Sequence, residues 1–76
     1  SLLEPVDPVV TDHLGDVYWM VGRTREAEFQ WHRALSFGPT EADAARIRKK
    51  LEQGLDAVLA AEGTTPKPEA AATNDN

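Results

Sequence analysis

Two aspartates and a histidine near the start of the chain could, by their types, bind a metal ion. Asp12 and Asp16 are four residues apart, so in a helix their carboxylates share one face. His13 follows Asp12 directly and points to another side of the same helix, and His32 falls on a different predicted helix. Metal ligands have to converge on one point. We therefore predict a surface histidine, no metal site and no cofactor.

Other catalytic signatures are missing from the sequence. It has no glycine-rich phosphate loop, no nucleophile beside a base, and no pair of carboxylates facing each other across a cleft. It also has no cysteine, which excludes disulfides and thiolate metal sites. We predict a protein that is not an enzyme and has no catalytic residues.

A basic cluster offers an alternative function. Arg46, Arg48, Lys49 and Lys50 lie close together, and such a cluster can contact nucleic acid. The net charge of −5 argues against non-specific nucleic-acid binding. We interpret the cluster as a solvated helix face and keep a small helical nucleic-acid binder as the alternative. The apolar runs are only a few residues long, so no membrane span is predicted.

Three helices are predicted to position these groups. The first runs from about Pro8 to Val21, with Asp7 as N-cap and Gly22 as the stop signal. Gly15 lies in its middle, where a glycine indicates that another helix backbone passes close by. Helical periodicity assigns its buried face to Val10, Leu14, Val17, Tyr18 and Val21.

The second helix is predicted to start with Thr24 as N-cap and to close at Phe37, before the breaker Gly38-Pro39. Its inner stripe is Ala27, Trp31, Ala34 and Leu35. Because the connection to the first helix is only two or three residues, the two helices are predicted to be antiparallel neighbours.

The third helix is predicted to follow Thr40 and to end near Glu62-Gly63. Its buried face is predicted as Ala44, Ile47, Leu51, Leu55 and Val58, and its solvated face as Arg46, Lys49, Lys50, Gln53 and Asp56. Residues 63–76 contain no large apolar side chain and are predicted to form a disordered tail.

Two parts of the chain show the same residue pattern at a spacing of 34 residues. Pro5 and Pro39 are 34 residues apart, and so are Leu3 and Phe37. This period is that of the tetratricopeptide repeat. Residues 8–39 resemble one such repeat through Leu14, Gly15, Tyr18, Ala27, Trp31, Ala34 and Pro39. The chain departs from the family pattern at Thr11, where the family often has tryptophan.

The resemblance implies an all-α fold, a fragment of a right-handed α-solenoid. Residues 1–7 would be the end of a preceding repeat, residues 8–39 a helical hairpin, and residues 40–62 a capping helix at the C-terminal end of a longer array. The function implied is a protein–protein interaction module, a scaffold or adaptor. The sequences of both hairpin helices also resemble those of Gram-negative bacterial tetratricopeptide proteins, many of which are exported or associated with the envelope. The resemblance therefore leaves the compartment open between the cytoplasm, the periplasm and the envelope.

The same resemblance predicts a binding groove on the first helix. The positions that would face it are Val9, Asp12, His13, Asp16, Trp19 and Met20. An acidic pair beside an aromatic side chain suits a peptide with a basic residue and an apolar anchor. Alternatively, both aspartates are solvated and Trp19 packs against a preceding helix. A single repeat with a cap leaves one side of this helix open, which predicts marginal stability or self-association.

Overall fold

The computed structural model describes residues 6–63, which form four helices and no strand. They are α1 (Pro8–Met20), α2 (Thr24–Ser36), α3 (Glu41–Gln53) and α4 (Leu55–Ala61). The all-α prediction is confirmed for this part of the chain. The predicted end of a preceding repeat, apart from Val6 and Asp7, and the predicted tail beyond Gly63 lie outside the described residues. None of the four helices is long and apolar enough to cross a membrane.

Local side-chain caps explain where two of the helices begin. The Asp7 carboxylate accepts hydrogen bonds from the backbone N–H groups of Val9 (2.8 Å) and Val10 (3.2 Å), and Pro8 opens α1. The Thr40 hydroxyl accepts from the N–H of Asp43 at 3.1 Å and caps α3. Thr24 is the first residue of α2 rather than its cap, and no side chain caps that helix.

Helices α1 and α2 are antiparallel and pack most closely at Gly15. A Cβ atom at Gly15 would lie 2.5 Å from Trp31 Cδ1 and Nε1, and 3.1 Å from the Ala27 carbonyl oxygen. One turn earlier, the backbone carbonyl of Asp12 accepts a hydrogen bond from the Trp31 indole. The buried cluster formed around this contact consists of Ala27, Trp31, Ala34, Ile47 and Leu55.

The prediction of one continuous third helix is wrong, because Gly54 divides it. Gly54 has φ +92° and ψ 156°, a backbone conformation that is essentially restricted to glycine, and it ends α3 and redirects the chain into α4. The ring of Trp19 lies directly against it, so that a Cβ atom there would be 2.7 Å from Trp19 Cη2. The Arg46 guanidinium also donates two hydrogen bonds to Glu62, which join α3 to the end of α4 and hold the pKa of that carboxyl below its usual value.

We expect Gly54→Ala to lower the free energy of unfolding by about 2 kcal/mol or more, because it adds the strain of a positive-φ backbone and a clash with Trp19. Gly63→Ala is the matched control, since Gly63 has φ +84° but nothing near a new Cβ. The control should lose only about 1 kcal/mol, from strain alone. Urea denaturation followed by tryptophan fluorescence measures both. Equal losses would contradict the contact with Trp19.

The predicted buried face of α1 is wrong. Val10, Leu14, Val17 and Val21 are all exposed, and only Tyr18 of that set is half-buried. The residues of α1 that are buried are Thr11, Asp12 and Gly15. Helix α1 therefore turns a polar, small-residue face inward and an aliphatic face outward. The reason lies in a charged group from α3.

Candidate functional site

Lys50 is the residue that draws the aspartate face of α1, rather than its aliphatic face, to the inside of the molecule. It lies on α3 with only 1% of its surface exposed, although lysine is almost never buried unless it is paired. Sequence analysis placed it on the solvated face, and that prediction is wrong. Its side chain runs inward from α3 to the two aspartates of α1.

The Lys50 ammonium donates to both aspartates. Its Nζ lies 2.8 Å from Asp12 Oδ1, 2.9 Å from Asp16 Oδ1 and 3.2 Å from Asp16 Oδ2. An ammonium has three N–H donors, and three carboxylate oxygens surround it. The Asp12 side chain is 10% exposed and that of Asp16 22%, so this contact is screened by water far less than a surface ion pair.

Trp31 completes the network from α2. Its indole N–H lies 3.2 Å from the backbone carbonyl oxygen of Asp12 and 3.1 Å from Asp16 Oδ1, and donates to both. Its ring centroid is 6.0 Å from Lys50 Nζ, within the range of a cation–π contact. Among the described residues no buried side-chain nitrogen or oxygen lacks a hydrogen-bond partner. We call this network the ammonium cage; it consists of Asp12, Asp16, Trp31 and Lys50.

Trp19 forms the adjoining wall. Its ring lies 5.7 Å from that of Trp31, centroid to centroid, and against Gly54. Its indole N–H donates to Asp56 Oδ1 of α4 at 3.2 Å. Trp19 therefore packs on the C-terminal helices of its own chain.

The six residues predicted for a peptide groove do not share one surface. Asp12, Asp16 and Trp19 come together on the inner side of α1, in contact with α3 and α4. The other three (Val9, His13 and Met20) lie on the exposed side. We predicted that a bound peptide would bring a basic residue and an apolar anchor to these side chains. In the structure the chain itself places Lys50 against the two aspartates and the segment after Lys50 against Trp19.

The exposed side of α1 is a continuous aliphatic surface, which we call the outer face. Its side chains are between 40% and 71% exposed. They are Val9, Val10, Leu14, Val17 and Met20 of α1, with Val6 before the helix and Val21 directly after it. His13 is the polar residue among them, and no charged side chain of α1 interrupts them.

The basic cluster is dispersed by the fold. Lys50 is buried and Arg46 is paired with Glu62, which leaves Arg48 and Lys49 exposed. Two neighbouring cations are a small electrostatic footprint for nucleic acid. Within residues 6–63, no three histidine or carboxylate side chains converge as metal ligands.

A shallow groove lies between α2 and α3 on another side of the molecule. Its volume is about 320 Å³, and it is lined by His32, Leu35, Arg48, Leu51 and Glu52. Three of these five side chains are exposed to solvent. The three exposed residues are its polar ones, His32, Arg48 and Glu52, so no buried polar side chain lines it as in a typical small-molecule site.

Sequence analysis did not assign two residues, Lys50 and Gly54, to this site, although the position of each in the sequence indicates its role. Lys50 stands three residues after Ile47 and four before Gly54, on the spacing of the buried positions of α3. A lysine at such a position indicates a buried partner of opposite charge. Gly54 is an isolated glycine within a helical pattern, a signal for a helix end.

No family model matches the chain, and comparisons with curated proteins and with solved structures give no significant match.

Proposed function

We propose that this chain is a protein-docking module that binds a partner through the outer face of α1, with no catalytic role. The observation that carries the proposal is the inverted amphipathicity of α1. The aspartates of its polar face are buried and hydrogen-bonded to Lys50 and Trp31, while its aliphatic face is exposed to solvent. Exposed, contiguous apolar surfaces on small proteins mark interaction sites.

The partner is a second helical unit with an aliphatic, uncharged face. Helix α1 has 13 residues, so the outer face extends for about 20 Å. Aliphatic ridges of this kind pack into the grooves of a neighbouring helix. A lipid surface is a poorer fit, because α1 contains no lysine or arginine, which interfacial helices use at membranes.

The proposal includes the architecture of a tetratricopeptide unit followed by a cap. The close contact of Gly15 with Trp31 and Ala27 supports it, as does the glycine–proline step that ends the hairpin at Pro39. In repeat arrays each helix pair buries its apolar face only against its neighbours. The outer face is then the surface on which the helix pair of the partner packs, and α3 with α4 covers the other side.

We expect Val17→Asp to weaken partner binding about 30-fold or more, since it buries an unpaired charge in the middle of the interface. Ala45→Asp is the control, because Ala45 is exposed on α3 and the substitution adds the same charge away from the outer face. Both variants should unfold within about 1 kcal/mol of the parent.

The measurement has two stages. A photo-crosslinking amino acid at Val17 first identifies the partner, and calorimetry with the purified partner then compares the parent with both variants. A negative heat-capacity change on binding is expected for an aliphatic interface. If Val17→Asp binds as tightly as Ala45→Asp, the outer face is not the docking surface.

A further inference from the structure

The composition of the outer face narrows the kind of partner that it fits. The two carboxylates of α1, Asp12 and Asp16, both bind Lys50 on the inner side, and the outer face has no titratable side chain apart from His13. A partner with charged residues at its centre would bury them unpaired against this surface. A second copy of the chain avoids that cost, because it presents the same aliphatic face over the same length.

The outer face consists of two rows of side chains spaced four residues apart. They are the row Val9, His13, Val17 and Val21, and beside it the row Val10 and Leu14. In the commonest class of helix packing, rows of this spacing on both helices interdigitate. Because both helices then contribute the same kind of row, a two-fold axis can relate them, as in most homodimers.

The charges at the two ends of α1 favour an antiparallel arrangement of two copies. Asp7 lies at the start of the helix, and the exposed Arg23 and Arg25 follow its end, where Arg23 also pairs with Glu26 of its own chain. A two-fold axis through the middle of α1 places the start of each helix beside the end of the other. Opposite charges and opposite ends of the helix dipoles are then neighbours, whereas a parallel pair would bring like charges together.

The exposed area is sufficient for a dimer. The aliphatic side chains of the outer face are between 40% and 71% exposed, and together they present an area on the order of the 800 Å² per partner that specific interfaces bury. Helices α3 and α4 contact the inner side of α1. A second copy therefore reaches the outer face without displacing either of them.

We propose that the partner of the outer face is a second copy of this chain, joined through α1 in an antiparallel two-fold dimer. The proposal rests on the docking function proposed above and names its partner. Leu14 is the middle residue of α1, so His13 and Leu14 of both copies lie at the centre of the interface. Val10 and Val17 lie on either side of this centre, and Val10 of one copy contacts Val17 of the other.

Sedimentation equilibrium of the purified chain tests the identity of the partner. We expect a dimer with a Kd of about 10 μM or below. Val17→Asp enters both sides of a two-fold interface, so the loss of about 30-fold expected for one copy counts twice, and the Kd should rise by about 1,000-fold. Ala45→Asp adds the same charge on an exposed position of α3 and should sediment like the parent.

Cysteine pairs test the orientation, because the chain has no cysteine of its own. Val10→Cys and Val17→Cys are conservative changes, since cysteine behaves as a small apolar residue, and they also serve if Val17→Asp fails to fold. A disulfide requires closely approaching backbones. When the two variants are mixed and oxidised, we expect them to cross-link to each other, while each variant alone and the control Ala45→Cys cross-link little.

The outcomes separate this proposal from the docking function. If the chain sediments as a monomer at millimolar concentration, while a photo-crosslinking amino acid at Val17 joins it to a different protein, the second copy is the wrong partner and the docking surface stands. If Val17→Asp dimerises as tightly as Ala45→Asp, α1 is not the interface of the dimer and the proposal is overturned. Disulfides that form mainly between identical positions would overturn the antiparallel arrangement.

Discussion

Replacing Lys50 by methionine is expected to lower the free energy of unfolding by about 3–5 kcal/mol. Methionine has a similar length and is apolar, so little packing volume is lost. What is lost is the charge between Asp12 and Asp16, whose side chains are only 10% and 22% exposed. Two carboxylates would then face each other on one turn of α1 without a counter-ion.

Thermal and urea unfolding followed by circular dichroism measure this loss. Lys49→Met is the matched control, since Lys49 is the exposed neighbour on the same helix, and it should change stability by about 0.5 kcal/mol at most. Since a 76-residue chain is marginally stable, Lys50→Met is expected to be largely unfolded at 37 °C. If Lys50→Met and Lys49→Met unfolded alike, the burial of Lys50 would be contradicted.

Adding Asp12→Asn and Asp16→Asn to Lys50→Met should recover part of the lost stability. The amides remove the repulsion between the carboxylates. The amide oxygen at position 16 keeps the side-chain acceptor for the Trp31 indole, and the backbone acceptor at position 12 is unchanged. This recovery separates an electrostatic loss from a packing loss. A triple variant no more stable than Lys50→Met would indicate that packing dominates.

Replacing Gly15 by alanine is expected to lower the free energy of unfolding by about 2–3 kcal/mol, although alanine is the better helix former by about 1 kcal/mol. The new Cβ would lie 2.5 Å from two atoms of the Trp31 ring. That ring cannot move aside easily, because it is 0% exposed and its N–H donates to Asp12 and Asp16. The clash is therefore transmitted to the ammonium cage.

A double-mutant cycle with Trp31→Leu checks this cause. In the Trp31→Leu background the ring atoms are gone and only the 3.1 Å approach to the Ala27 carbonyl oxygen remains, so the helix-propensity gain of up to about 1 kcal/mol should offset most or all of the cost of Gly15→Ala. The coupling energy between the two positions, measured by urea denaturation, is the quantity predicted. If Gly15→Ala lowered the free energy of unfolding equally in both backgrounds, the loss would not come from contact with the Trp31 ring.

Local signals in the sequence determined the helical framework. Asp7 and Pro8 fix the start of α1 and Thr40 that of α3, because each acts within its own first turn. The small residues Gly15 and Ala27 and the aromatic Trp31 predict a close antiparallel pair, since their spacing depends only on helix geometry. Interactions of this range are readable from one sequence.

The tertiary structure decided which face of α1 lies inside. Periodicity finds a stripe of valines and a stripe of aspartates on the same helix, and it assigns the valines to the core because burying charge is costly. That cost is offset by Lys50, 38 residues from Asp12. No local pattern in α1 reports the presence of that lysine. Which face of α1 points inward, and with it the outward aliphatic face, is set by the two long-range ion pairs of Lys50 with Asp12 and Asp16, which only the packing of α3 brings together.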